Sequence, residues 1–468
     1  MTKPPRASRL LRYYLFRTRR LSRRQLGTLQ DWKMRVVFWI GALMVGLVTV
    51  GFAWVAEMCA EAFAEMERHS SLWPVLITPL GMLATVFVMR RTGAESQGSG
   101  IPQVLVVLKQ RYHWLRPTFL SFRVIVMKFA LTCMGLLCGA SIGREGPSVH
   151  MGAAMMYSVG QVGRLHQKYV DNALIVAGGA AGVSAAFNAP LAGIVFAIEE
   201  LSGSFEQRTS GTLILAIILS GVVVLAIAGH YSFFGHPQGA LDITQDWLAI
   251  GVTGLVCGLL GGAFSRLLIT GSRFLAPYGR KHPYRVVLLC ALVLVLLGLV
   301  TGGMTYGSGY EQARHLLSGD ADGDWSFPLA KMAATLVSYF TGIPGGLFSP
   351  SLAAGAGVGN VIGGLFPDSS VVGVTLVAMA AFLAGVIQRP ITSFVIVMEL
   401  TGNRHDILLP LMAGAFVAAA VAKLVWLRPL YDSLAERLQE GEGMALDRAR
   451  VVSTESGPAD ERGRGGGQ

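Results

Sequence analysis

The feature that most limits what this chain can fold into is a succession of long apolar runs. Val36–Ala56, Leu72–Met89, Gly211–Gly229, Leu248–Ile269, Val286–Gly302 and Leu408–Val425 each approach or exceed the roughly 20 residues that a helix needs to cross a bilayer. With the interrupted runs the total is on the order of ten, which predicts a polytopic, all-α membrane protein with the lipid bilayer as its solvent. Charged residues are 14% of the 468, against about a quarter in a soluble domain, so most of the surface is built for lipid.

A second set of runs is short or broken by Gly and Pro: Cys138–Tyr157, Ala177–Leu201, Gly342–Phe366 and Met379–Leu400. In a membrane, backbone freed by such breaks survives only where protein or a polar cavity satisfies it, so broken helices point to a substrate pathway.

The net charge of +11 is concentrated at the start, where Lys3 to Arg35 holds eleven Lys/Arg and one acid, Asp31, among Tyr13, Tyr14 and Phe16. Abutting the first span, residues 1–35 read by the positive-inside rule as a basic cytoplasmic segment, with no nucleic-acid partner. The following apolar run is too long for a signal peptide. Cys59, Cys133, Cys138, Cys257 and Cys290 lack metal-ligand spacing and read as small buried hydrophobes, so no metal is expected.

The middle of the chain repeats itself. Phe187-Asn-Ala-Pro190, eight mainly apolar residues and Glu199 are echoed by Ile387-Gln-Arg-Pro390, eight more and Glu399; GREGP at 143–147 and GLFSP at 346–350 precede the two echoes at similar distances. Two elements in the same order indicate duplication. Duplicated transporter halves commonly run antiparallel across the bilayer, with the site between them. The expected division is 36–240 and 241–435, followed by a disordered cytoplasmic tail over 436–468.

Three motifs carry the chemistry: Gly98-Ser99-Gly100-Ile101-Pro102, Gly143-Arg144-Glu145-Gly146-Pro147 and Gly346-Leu347-Phe348-Ser349-Pro350. Each places Gly before a Pro suited to the first helical turn. A helix start carries partial positive charge and unpaired N–H donors, and three converging starts hold an anion without a full countercharge that would trap it. Read singly, each motif is equally a packing kink.

Glu145, flanked by glycines, is expected to face a pathway, because a carboxylate facing lipid is costly. Its carboxylate can itself fill an anion site and vacate it on protonation, coupling proton to anion; the plainer alternative is an ion pair with Arg144 or Lys128. Glu199 and Glu200 close an apolar helix, where the dipole disfavours them. Neighbours project about 100° apart, so one is expected to face the pathway; the alternative is a solvated helix end. A structural role is expected for Glu399. Ser99 is a hydroxyl candidate, and Tyr431 reads either as another or as an interfacial belt residue.

In this order and spacing, the three motifs resemble the signature of the CLC chloride channel and transporter family over about residues 35–435. The resemblance implies inverted repeats with many tilted and broken helices, a homodimer with one pathway per subunit, and both termini in the cytoplasm. It implies Ser99 as the central-site serine, Glu145 as the gating glutamate, Leu347 and Phe348 as the pair whose N–H groups face the ion, Tyr431 as the inner-gate tyrosine and Glu200 as the inner proton-transfer acid. Serine in GSGIP is similar to the chloride-preferring branch. Gln103 departs from the Glu of many bacterial relatives, and His150 lies just past GREGP. The C-terminus leaves no room for paired regulatory domains, which suggests a bacterial inner membrane.

The function expected is chloride/proton antiport with chloride as substrate and no cofactor; the alternative is a passive voltage- or pH-gated chloride channel on the same fold. An intramembrane enzyme is disfavoured, since neither HExxH nor GxSxG occurs.

Overall fold

The computed structural model describes residues 29–164, 168–202, 210–229, 233–319 and 324–440. Most of the basic N-terminal segment and the tail from 441 onward lie outside the described residues. Within them every regular element is helical, and one isolated antiparallel bridge joins Gly143 to Gly346.

In chain order the helices are α1 Leu29–His69, α2 Trp73–Thr92, α3 Ile101–Leu108, α4 Arg116–Phe119, α5 Phe122–Leu137, α6 Glu145–Val162, α7 Lys168–Phe187, α8 Pro190–Phe196 and α9 Ser210–Ala228. The second half supplies α10 Trp247–Lys281, α11 Pro283–Val300, α12 Tyr310–Leu316, α13 Ser326–Phe340, α14 Phe348–Gly363, α15 Val371–Ile387, α16 Pro390–Leu400 and α17 Leu408–Val425, with α18 at 430–440. Among the described residues 7 helices are long and apolar enough to cross a membrane, or 8 if the pair bent by 60° around Leu120–Ser121 counts as one span. The other helices are short, as the Gly/Pro interruptions predict. Between α9 and α10, residues 233–246 carry no helix.

The two halves repeat one plan. α7 and α15 end at Asn188 and Gln388, whose φ values of 52° and 56° break the helix in the left-handed region that amide residues tolerate. Pro190 and Pro390 then open α8 and α16, where a missing N–H costs nothing. α6 packs on α7, and α14 on α15, through glycine at backbone contact. A Cβ on Gly152 would lie 2.3 Å from the Gly178 carbonyl, and one on Gly359 would lie 2.5 Å from Thr375 Cα.

Near the C-terminus the structure departs from the expected boundary. Helix α18 runs to residue 440, so the first five residues assigned to a disordered tail are helical. Leu434 and Ala435 are buried, and the Arg437 guanidinium donates to the Ser272 carbonyl (2.6 Å). These contacts hold the last turns against α10. The cysteines sit where the sequence suggests: Cys133, Cys138, Cys257 and Cys290 are buried and Cys59 is half-buried.

Candidate anion and proton site

The three Gly/Pro motifs meet at one place. Gly143 N–H donates to the Gly346 carbonyl (2.8 Å), and Gly346 N–H donates back (2.6 Å). Gly98 N–H reaches the Gly342 carbonyl (3.2 Å) and Gly345 N–H reaches the Gly98 carbonyl (3.3 Å). All three loops are thereby tied, and Gly100, Gly143, Gly146 and Gly346 have no room for a side chain. A Cβ on Gly146 would stand 2.5 Å from Ser99 Oγ, and one on Gly346 would stand 2.9 Å from Gly146 N. Gly98 and Gly100 also need positive φ, 67° and 102°.

Ile101 and Pro102 form the first turn of α3, Pro147 sits in the first turn of α6 and Pro350 in that of α14. Leu347 is the N-cap of α14 and Phe348 its first residue, both buried, so their N–H groups belong to the turn that has no intrahelical partner. The Phe348 ring is held by Phe187 (6.3 Å, stacked), Phe196 (6.2 Å, edge-on) and Tyr431 (5.9 Å, edge-on).

Glu145 is 1% exposed and its carboxylate lies at the start of α14. One oxygen accepts a short hydrogen bond from the Ser349 hydroxyl, and the other faces Ser349 N–H at 3.5 Å. A negative group thus already rests on a helix N-terminus, where N–H donors and dipole favour it. The alternative of an ion pair with Arg144 or Lys128 is not what the structure holds. Arg144 turns away to the Ala53 carbonyl (2.9 Å) and Glu57 (3.5 Å). Lys128 Nζ donates to the carbonyls of Ser96 and Gly98, both at 2.7 Å, which fixes the approach to the first motif.

Ser99 and Tyr431 come together. Their side chains are neighbours, and neither buried hydroxyl oxygen has a partner in ordinary hydrogen-bond geometry. Burying unpaired hydroxyls is costly, so two brought together mark a place for a polar occupant. Tyr431 is fully buried and is no interfacial belt residue.

Glu199 and Glu200 separate as helical geometry requires, on the π-helical turn Ala197–Ser202 that follows α8. Glu200 is buried; one oxygen takes a hydrogen bond from Arg389 Nε (2.8 Å) and the other has no partner. Glu199 instead accepts N–H bonds from Ile391 (3.3 Å) and Thr392 (2.7 Å) at the start of α16. Glu399 does the same for Leu191 (3.0 Å) and Ala192 (2.6 Å) at the start of α8. The solvated-end reading holds for neither acid of the pair.

Gln103 and His150 are framework residues: Gln103 Nε2 donates to the Gln97 carbonyl (2.6 Å), and a His150 ring nitrogen pairs with the Phe119 carbonyl (2.8 Å). Residue-by-residue reading of the sequence missed the Ser349 hydroxyl, the Arg389 bridge and Lys331. Lys331 Nζ holds the carbonyls of Thr305 (3.0 Å) and Gly307 (2.8 Å), as Lys128 holds its own loop. The signal was present: Gly307-Ser308-Gly309 repeats Gly98-Ser99-Gly100.

A cavity of about 800 Å³ borders this site, its lining including Glu57, Glu61, Arg144, Glu311, Glu145 and Ser349.

The family model described as Voltage gated chloride channel matches residues 80–423. The H(+)/Cl(-) exchange transporter ClcA of Klebsiella pneumoniae is 31% identical over 428 residues, covering 86% of this chain and 89% of the relative. ClcA of Salmonella typhimurium is 31% identical over 445 residues, covering 89% and 90%. Among solved structures, a slow cyanobacterial Cl−/H+ antiporter superposes with a TM-score of 0.74 at 23% identity, covering 87% of this chain and 98% of that one, a likeness of fold. With a family match over most of its length and curated relatives of this identity, the chain belongs to the voltage gated chloride channel family.

Proposed function

We propose that the chain exchanges chloride for protons across a membrane, with Glu145 as the gate that binds either a proton or, in its seated charged form, the anion site itself. The observation that carries this reading is the Glu145 carboxylate at the first turn of α14, held by Ser349. A carboxylate and a chloride compete for the same N–H donors, and protonation removes the competitor. Chloride next occupies the space faced by the Ser99 and Tyr431 hydroxyls and by the first-turn N–H groups of Leu347 and Phe348. Partial charges bind it weakly enough to let it leave. Glu200, buried near Tyr431, supplies the second proton site.

The cavity over Glu145 is lined by residues of the C-terminal half of α1, which at 41 residues is about 60 Å long. With the basic start of the chain in the cytoplasm, the cavity opens to the outside and Glu200 lies toward the inside. The reading includes two inverted membrane repeats divided between α9 and α10, both termini cytoplasmic, a bacterial inner membrane, and a homodimer. Leu191 and Ile391, at matching positions of α8 and α16, are exposed apolar residues that suit burial against a second copy. Chloride is the substrate and no cofactor takes part.

The test is purified protein in liposomes with a chloride gradient and a pH electrode outside. Chloride-driven uphill proton movement, lost in Glu145→Gln while chloride still passes, is the expected result. Chloride flux without linked proton movement makes the protein a passive channel and overturns the antiport reading.

A further inference from the structure

One guanidinium joins two carboxylates at the Tyr431 side of the site. Arg389 Nε donates to Glu200 (2.8 Å), and a terminal nitrogen of the same group donates to Asp432 (2.9 Å). Side-chain exposure rises along the series, from 1% at Glu200 through 22% at Arg389 to 37% at Asp432. The bridge therefore runs from the interior to the solvent edge.

Arginine does not give up its proton in proteins, so Arg389 is no carrier. It changes the cost of protonating the acid it touches. When Glu200 takes a proton the ion pair loses its charge, and Arg389 keeps only Asp432. We propose that Arg389 is a positioning residue that sets how readily Glu200 accepts a proton, and that Asp432 tunes this hold from the solvent edge. The proposal rests on the reading of Glu200 as the inner proton site.

The other charged groups around this point are engaged elsewhere. Glu199 and Glu399 cap α16 and α8. Asp171 on α7 pairs with Arg116, and on α18 Glu436 pairs with Arg428. Helices α3 and α8, which pack on the turn carrying Glu200, have no titratable side chain. Tyr431 adds its unpaired hydroxyl.

The sign follows from charge. An opposite charge within about 4–6 Å shifts a carboxylate's titration by one to three pH units. Arg389→Gln removes the cation, so the midpoint of proton flux against pH moves to higher pH by about one unit or more. Asp432→Asn leaves Arg389 to Glu200 alone, so the midpoint moves to lower pH, by less because Asp432 is half exposed. Arg389→Lys restores most of the wild-type midpoint. A merely structural Arg389 would lower the amount of active protein without moving the midpoint.

The experiment measures chloride-driven proton flux and chloride flux in the same proteoliposomes from acid to neutral pH, for these three variants and Glu200→Gln. Opposite shifts in Arg389→Gln and Asp432→Asn support the proposal. Coincident midpoints, or shifts in one direction, overturn it while Glu200→Gln still uncouples protons. If Glu200→Gln keeps full coupling, the reading of Glu200 fails and the proposal falls with it. Should Arg389→Gln not fold, Asp432→Asn decides alone: an acid shift supports the proposal and an unmoved midpoint overturns it.

Discussion

Glu199 and Glu399 exchange helix ends: each closes its own half's short helix and accepts two backbone N–H bonds at the start of the other half's. The dipole penalty of an acid at a helix C-terminus is offset because each carboxylate lies on a neighbouring N-terminus. The exchange also forces α8 and α16 to run antiparallel side by side, which is what an inverted repeat demands at its axis. Charge-assisted bonds of this kind contribute about 1.5–3 kcal/mol each in favourable settings. Glu399→Gln keeps one acceptor and is expected to lower stability by about 1–2 kcal/mol, with Glu199→Gln costing a similar amount and the double variant more than either. Thermal unfolding in detergent reads this. An unchanged midpoint in all three would mean that the caps contribute nothing.

Much of this was legible in the sequence, for physical reasons that differ by residue. Span length is a local property, so the long helices were readable from apolar runs. Pro190 and Pro390 start helices for a local reason as well, the missing N–H. The three glycine motifs were legible because only glycine permits their close approach. What stayed hidden was which side chains pair across the fold. Ser349 meets Glu145 across 204 positions and Arg389 meets Glu200 across 189, and no local pattern encodes such a partner. Helix α18 continues past the boundary expected at residue 436 because its polar composition reads as tail, while its few buried side chains hold it to α10.

Gly146 is where the first and second motifs touch. Alanine there would place a Cβ 2.5 Å from Ser99 Oγ and 3.0 Å from the Ser99 carbonyl, inside normal contact with a buried, constrained loop. Gly146→Ala is expected to cut chloride turnover by about tenfold or more, corresponding to roughly 1.4 kcal/mol or more of barrier. Chloride flux in proteoliposomes at matched protein content checks it; wild-type turnover would show that the loop has slack.

Lys128 and Lys331 are both fully buried and satisfied by loop carbonyls rather than by acids. Methionine keeps the stem but orphans those carbonyls, at about 1–3 kcal/mol for each buried acceptor left unpaired. Lys128→Met is expected to disorder the loop bearing Ser99 and to weaken chloride binding as well as stability. Lys331→Met, which serves the loop at Gly307, is expected to lower stability with a smaller effect on chloride binding. Calorimetric chloride titration alongside thermal unfolding separates the two; equal loss of binding in both would remove the distinction.

Ser349 donates to the seated form of Glu145. A hydroxyl bond to a charged group contributes about 1.5–3 kcal/mol. Ser349→Ala removes the bond and leaves Ser349 N–H in place, so the carboxylate is held less firmly at the start of α14. Chloride then displaces the side chain more readily, and the profile of flux against chloride concentration is expected to shift to lower chloride by about tenfold. Glu145→Gln, with no carboxylate to compete for the site, is expected to lose that sensitivity altogether, and the double variant to behave like Glu145→Gln. A Ser349→Ala profile that overlays the wild type would show that the backbone at the start of α14 holds Glu145 without help from the hydroxyl. A double variant distinct from Glu145→Gln would show that Ser349 acts on chloride directly rather than through the glutamate.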